Sequence, residues 1–175
     1  MTLEAHALTK AYRALVAVEE LSFTAEAGEV IGLLGPNGAG KTTAIRVLTT
    51  ILAPTSGSFT VAGIPHTRPA EIRRRGGVLP ESAGYPEQQT GIEFLRYHAR
   101  LYGHSRASAD ATAAVLLRDV GLADRQSSPI STYSRGMRQR LGIARALVND
   151  PAVVFLDEPT LGLDPAGQEQ IMRVI

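Results

Sequence analysis

The run Glu29–Leu34 (EVIGLL) leads directly into Gly35-Pro36-Asn37-Gly38-Ala39-Gly40-Lys41-Thr42-Thr43, and a helical stretch, Lys41 to Leu52, follows. This succession constrains the fold of the chain more than any other feature. A continuous apolar run of this length reads as a strand buried on both faces. The loop after it fits the phosphate-binding pattern G-x-x-x-x-G-K-[ST]. Its glycines let the backbone wrap an anion with N–H groups, and the N-terminus of the next helix adds a positive dipole end. An ordinary glycine-rich turn is the plain alternative, and the strand-before, helix-after context argues against it. The expectation is an α/β fold of the P-loop NTPase kind, a mostly parallel sheet flanked by helices.

The rest of the chain fits around that unit. Leu3 to Leu8 and Val16 to Ala25 alternate in part and predict strands of a small N-terminal antiparallel layer. Ser58 to Ala62 predicts a further strand, and Gly77-Val78-Leu79-Pro80 a strand end. From Thr90 to Val148 the pattern is helical, near Gly91–Tyr102, Ser108–Val120 and Ser134–Val148, which suggests an inserted helical subdomain. Ala152–Leu156 (AVVFL) restores the buried-strand signal, and Asp164-Pro165 supplies an N-cap and first position for a last helix. The expected organisation is one domain over residues 1–175, with a core from 1–80 and 150–175 and a helical subdomain over about 81–149.

Composition narrows the function. With 44% hydrophobic and 20% charged residues the chain can bury a core, and a net charge of +1 without polybasic runs gives no reason to expect nucleic acid or direct attachment to an anionic membrane. No apolar run approaches the roughly 18 residues that a spanning helix needs, and the N-terminus lacks the pattern of a signal peptide, so a soluble chain is expected. The absence of cysteine excludes disulfides and fits the cytosol.

In the glycine loop, Lys41 is placed to reach the β- and γ-phosphates of a nucleotide, and Thr42 to offer its hydroxyl to Mg²⁺. Asp157 and Glu158 follow the second apolar strand, at the end where open parallel sheets expose their ligand edge. Asp157 is expected to hold Mg²⁺ through water, and Glu158 to act as general base on the attacking water. Taken alone, a strand-terminating acidic pair is the more ordinary reading; beside a phosphate loop it becomes the weaker one.

Two further segments, Tyr133-Ser134-Arg135-Gly136-Met137-Arg138-Gln139-Arg140-Leu141 and Glu158-Pro159-Thr160-Leu161-Gly162-Leu163-Asp164-Pro165, resemble the signature and D-loop of ABC ATPases. The order of phosphate loop, helical insert, signature, acidic strand and D-loop is similar to that family over nearly the whole chain. The resemblance implies two domains head to tail with ATP between them, so that Ser134, Arg135, Gly136 and Met137 face a partner copy's ATP. It also implies that Tyr12 stacks on adenine with Val18 beside it, although a tyrosine next to a strand is more often simple packing. The implied partners are a second nucleotide-binding domain, a homodimer being expected, and a membrane permease that holds the subunit at the inner face of the membrane.

The sequence departs from the family's pattern in places. The signature reads YSRGM instead of LSGGQ, and Arg135 either adds charge near the partner's nucleotide or points to solvent. The position of the Q-loop glutamine, a further expected Mg²⁺ contact, is Glu81, unless Gln88 or Gln89 takes that place. His6, His66, His98 and His104 all precede the acidic strand, so none fills the role of the family's switch histidine, and each is expected to be a surface or packing residue. The expectation is therefore a C-terminally truncated domain with an exposed sheet edge and weak hydrolysis. The function implied is the ATP-driven motor of a transporter, most similar to exporters of drugs or other amphiphiles. The alternatives are a soluble ABC ATPase acting on ribosomes or nucleic acid, and a nucleotide-binding module with little turnover.

Overall fold

A computed structural model describes residues 2–81 and 84–173. They form two compact units, Met1–Gly76 and Gly77–Ile175.

In the first unit, strands β1 (Leu3–Tyr12), β2 (Leu15–Ala25), β3 (Ser56–Val61) and β4 (Ile64–Pro65) form one antiparallel sheet in the order β2-β1-β3-β4. The register sets Leu3 beside Ala25 and Val61, and Ala5 beside Phe23 and Phe59, so alternate apolar residues share one face. Leu3, Ala5, Leu8, Phe59 and Val61 are all buried. Helix α1 (Lys41–Leu48) lies in contact with β1 and β2 and buries Ala44, Val47 and Leu48. It stops four residues before the Leu52 expected from sequence, because Thr50 takes a left-handed φ of 61°. Helix α2 (Pro69–Arg75), which the sequence pattern did not reveal, starts with Pro69 in its first turn and buries Ile72.

Glu29–Leu34 corrects an expectation: the segment is not a strand. Val30 is 75% exposed and Leu34 95%. A strand is held by hydrogen bonds to its neighbours, and among the described residues no strand pairs with this run.

In the second unit, β5 (Gly76–Leu79) and β6 (Val153–Leu156) form a two-stranded sheet, and between them run α3 (Gly91–Leu101), α4 (Arg106–Asp119) and α5 (Arg135–Leu147). Helix α6 (Pro165–Met172) follows. Each of these helices begins at a side-chain cap of a type its sequence announces: Thr90, Ser105, Ser134 and Asp164. At Thr90 the cap is reciprocal, with Glu93 returning a bond to the Thr90 N–H at 2.8 Å. The core gathers Phe94 and Leu95 of α3, Ala109, Ala113 and Leu117 of α4, and Leu141, Ile143 and Ala144 of α5. Small residues at Ala109 and Ala113 let α4 approach α3 closely. Helix α5 is tied to β5 by the Arg145 Nη2 bond to the Val78 carbonyl at 3.0 Å. At Gly77 a Cβ would run into the Ala146 carbonyl, so that crossing accepts only glycine.

Candidate functional site

The phosphate loop belongs to the first unit. Gly38 and Gly40 have φ of 82° and 85°, the left-handed region in which glycine pays no Cβ penalty. Gly40 is doubly constrained, because a Cβ there would collide with the Ala17 carbonyl of β2 and sit 3.3 Å from Val18 Cγ2. Val18 is buried, so it meets the loop as packing; Tyr12 is 43% exposed, with Lys10 Nζ 5.3 Å from its ring centroid. Lys41 turns its ammonium back into the loop and donates to the carbonyls of Gly35 at 2.7 Å and Pro36 at 2.9 Å. The loop therefore carries its positive charge inside its own turn. The first turn of α1 holds no acidic residue, which leaves its dipole unopposed toward an anion. Pro36, Asn37 and Ala39 are exposed, and Thr42 and Thr43 are half-buried at the helix start.

The acidic pair, signature and D-loop belong to the second unit. Asp157 is buried at 5% exposure, its N–H bonded to the Leu79 carbonyl at 2.9 Å, so β6 continues its pairing with β5 to the carboxylate. Glu158 is exposed and has a left-handed φ of 53°. Its carbonyl accepts from the Leu161 N–H at 3.1 Å and from Gln139 Nε2 at 2.9 Å. Asp164 caps α6 by accepting from the Gly167 N–H at 2.9 Å.

Ser134 caps α5, its Oγ accepting from the Met137 N–H at 3.2 Å, which leaves its O–H free to donate. Arg135 is exposed, and its aliphatic stem lies over Gly162: a Cβ at Gly162 would be 2.8 Å from Arg135 Cδ. Gly136 faces the Gly162 carbonyl and Leu163, while Met137 packs against the helical core. Tyr133, where the family has leucine, is 4% exposed; its O–H donates to the Arg125 carbonyl at 2.7 Å. Burial raises the Tyr133 pKa, and Arg125 opposes that rise.

Glu81 is exposed and lines a cavity of about 330 Å³ with Tyr85, Arg135, Arg138 and Gln139. The Tyr85 O–H donates to the Arg138 carbonyl at 2.8 Å, and burial raises its pKa against the charges of Arg145 and Arg138. Gln88 is exposed, and the Gln89 carbonyl accepts from the Ile130 N–H at 2.8 Å. The histidines are structural or superficial. His66 stacks on Phe59, His98 packs edge-on to Phe94, His104 bonds Ser108, and His6 is exposed beside Glu4. Sequence reasoning missed Gln139, since a bond from a helix side chain to a main-chain carbonyl 19 residues away leaves no spacing signal.

A glycine-lined phosphate loop at a helix start, with a second unit carrying an acid-ended strand and a serine-capped helix, defines an α/β nucleotide-binding domain of the P-loop class. The sequence pattern of the ABC transporter family matches residues 18–161, and the chain belongs to that family. It is 44% identical over 174 residues to the daunorubicin/doxorubicin resistance ATP-binding protein DrrA of Streptomyces peucetius, covering 99% of this chain and 53% of that one. It is 43% identical over 150 residues to the ABC transporter ATP-binding protein NatA of Bacillus subtilis, covering 85% and 61%. The chain thus spans between half and two thirds of the length of these relatives. Among solved structures, the ATP-binding subunit of an ABC transporter superposes with a TM-score of 0.87 at 33% identity, over 99% of this chain and 72% of that one. A dimeric bacterial ABC transporter cassette gives 0.90 at 24% identity, over 99% and 81%, a likeness of fold.

Proposed function

We propose that this chain binds and hydrolyses ATP as the motor of an ABC exporter, acting as a pair with a second nucleotide-binding domain and through a membrane permease. The observation that carries the reading is the phosphate loop, in which Gly40 is fitted against β2 and Lys41 is folded into the turn at the start of a helix with no acidic first-turn residue. Gly35 to Thr43 bind the phosphates through main-chain N–H groups, and Lys41 exchanges its carbonyl partners for phosphate oxygens. Tyr12, exposed on one side, offers a surface to the adenine, and Val18 supports the loop from beneath.

Among the described residues no cluster of three or more His, Cys, Asp or Glu could hold a metal by itself. This donor set nonetheless suits Mg²⁺, which takes few protein ligands and completes its shell with water and phosphate oxygens. Thr42, Asp157 and Glu81 are the hard oxygen donors proposed for it. When bound, the ion neutralises charge on the phosphates. Glu158 orients and deprotonates the attacking water, and Ser134 with the N-terminus of α5 meets the phosphates of the partner's nucleotide. Asp164 holds the D-loop by capping α6. In this reading the core is formed by residues 1–80 and 150–175, and residues 81–149 are the helical subdomain that passes the motion to the permease. We place the membrane path in a separate permease that holds this subunit at the inner face; among the described residues no helix is long and apolar enough to cross a membrane. The relatives named for drug resistance support export as the direction.

Titration of the protein with ATP in a calorimeter tests the reading. Lys41→Ala is expected to weaken affinity at least tenfold, on the order of 1.4 kcal/mol for one lost charge-assisted contact. Equal affinity in wild type and variant refutes it.

A further inference from the structure

Glu158, the carboxylate proposed to activate water, sits on backbone that residues with a Cβ rarely adopt. Its φ of 53° lies in the left-handed region, where such a residue persists only if its surroundings over-determine it. Two donors converge on its carbonyl oxygen. The Leu161 N–H, at 3.1 Å, closes a turn within the loop itself. Gln139 Nε2, at 2.9 Å, comes from α5, the helix that Ser134 caps. Only the NH₂ end of a glutamine amide can donate to a carbonyl, so the chemistry fixes which way this side chain points. The N-terminal turn of α5 is also fitted to the loop beyond that bond. A Cβ at Gly136 would lie 3.3 Å from the Gly162 carbonyl, and one at Gly162, whose φ is 78°, would meet the stem of Arg135.

We propose that Gln139 is a positioning residue for ATP hydrolysis: its amide fixes the Glu158 main chain, and through it the direction of the carboxylate. The proposal rests on the reading of Glu158 as general base. Gln139 touches no substrate. Because it stands on the helix whose N-terminus carries Ser134, it couples the catalytic carboxylate of one copy to that copy's own signature. Rotation of α5 then moves the base as well as the surface offered to the partner's nucleotide.

Gln139→Leu in the full protein removes the donor with little change in volume. Turnover number for ATP is expected to fall roughly 10- to 100-fold, the range that a small misplacement of a reacting group costs. KM and the melting midpoint should stay close to wild type, and hydrogen exchange at the Leu161 amide should quicken as the turn loosens. In a Glu158→Gln background the same substitution should change residual turnover by less than about twofold, because no base remains to be positioned. Gln139→Glu, which keeps the size and loses the donor at neutral pH, carries the test if the leucine variant does not fold. A folded Gln139 variant with turnover within about twofold of wild type, beside an inactive Glu158→Gln, overturns the proposal. So do equal fold losses in both backgrounds, which mark a general structural role. A Glu158→Gln variant as active as wild type removes the general-base reading itself, and the proposal with it.

Discussion

Gly91→Ala is expected to destabilise the second unit although alanine is ordinarily the better helix former. Gly91 opens α3, and a Cβ there would run into the Oη of Tyr133, whose Cζ lies 3.3 Å from the same point. Tyr133 cannot simply retreat, because it is 4% exposed and its O–H is bonded to the Arg125 carbonyl at 2.7 Å. The intrinsic gain from glycine to alanine is at most about 0.5–1 kcal/mol. Against it stand overpacking, roughly 1–3 kcal/mol, and the weakened hydrogen bond, about 1 kcal/mol. The expected net loss is about 1–3 kcal/mol. Tyr133→Phe alone should cost about 1 kcal/mol, at the low end for a lost buried bond, since the Arg125 carbonyl keeps the Ser128 N–H at 2.9 Å. The phenylalanine has no Oη, so Gly91→Ala on that background should cost less than about 0.5 kcal/mol, giving a coupling of about 1–3 kcal/mol in the double-mutant cycle. Urea unfolding of the four proteins measures it. Additive losses, with Gly91→Ala equally costly in both backgrounds, would refute the reasoning.

Gly40→Ala should abolish ATP binding in calorimetry while Gly38→Ala only weakens it, because Gly40 alone meets both a left-handed φ and the Ala17 carbonyl, and Gly38 has open space around it. Burial and the charge of Arg145 lower the pKa of His98 to about 4 from 6.5. The unfolded chain therefore binds the proton first, and stability that is complete above pH 6.5 should decline as pH falls toward 4. Because His98 is partly exposed, the full linkage value is discounted to roughly 1–2 kcal/mol, and His98→Phe should flatten that part of the stability–pH curve in urea titrations. Thr90→Ala removes the side-chain half of the capping box on α3, the bond from the Glu93 N–H, while the main-chain N–H at position 90 keeps the Glu93 carboxylate; the loss should be about 1 kcal/mol, or roughly 2–4 °C in melting midpoint.

The local chemistry of this chain was legible wherever one short segment determines its own conformation. Ser134 and Asp164 cap the helices that their sequences announce, and β1 and β2 pair as their alternation requires. The positive φ of Gly38 and Gly40 follows from what a phosphate-wrapping turn needs of its glycines. Glu29–Leu34 shows the opposite case, because apolar character states a preference for burial while pairing with a neighbour is what makes a strand. Helix α2 was missed because its arginine run hides a single buried Ile72. The segments that carry Lys41, Asp157 and Glu158 are each contiguous in sequence, so the proposal of these three residues needed no tertiary contact. The bond from Gln139 and the seat of Arg135 on Gly162 could not, since each depends on α5 meeting a loop distant in sequence.

The most direct test of the account is the mass of Glu158→Gln in solution, measured by light scattering with and without ATP. The account predicts a variant that binds ATP, does not turn it over, and doubles its mass when ATP is present, as the phosphate loop of one copy meets Ser134 and Gly136 of the other. A variant that binds ATP and keeps the monomer mass at saturating nucleotide would contradict it.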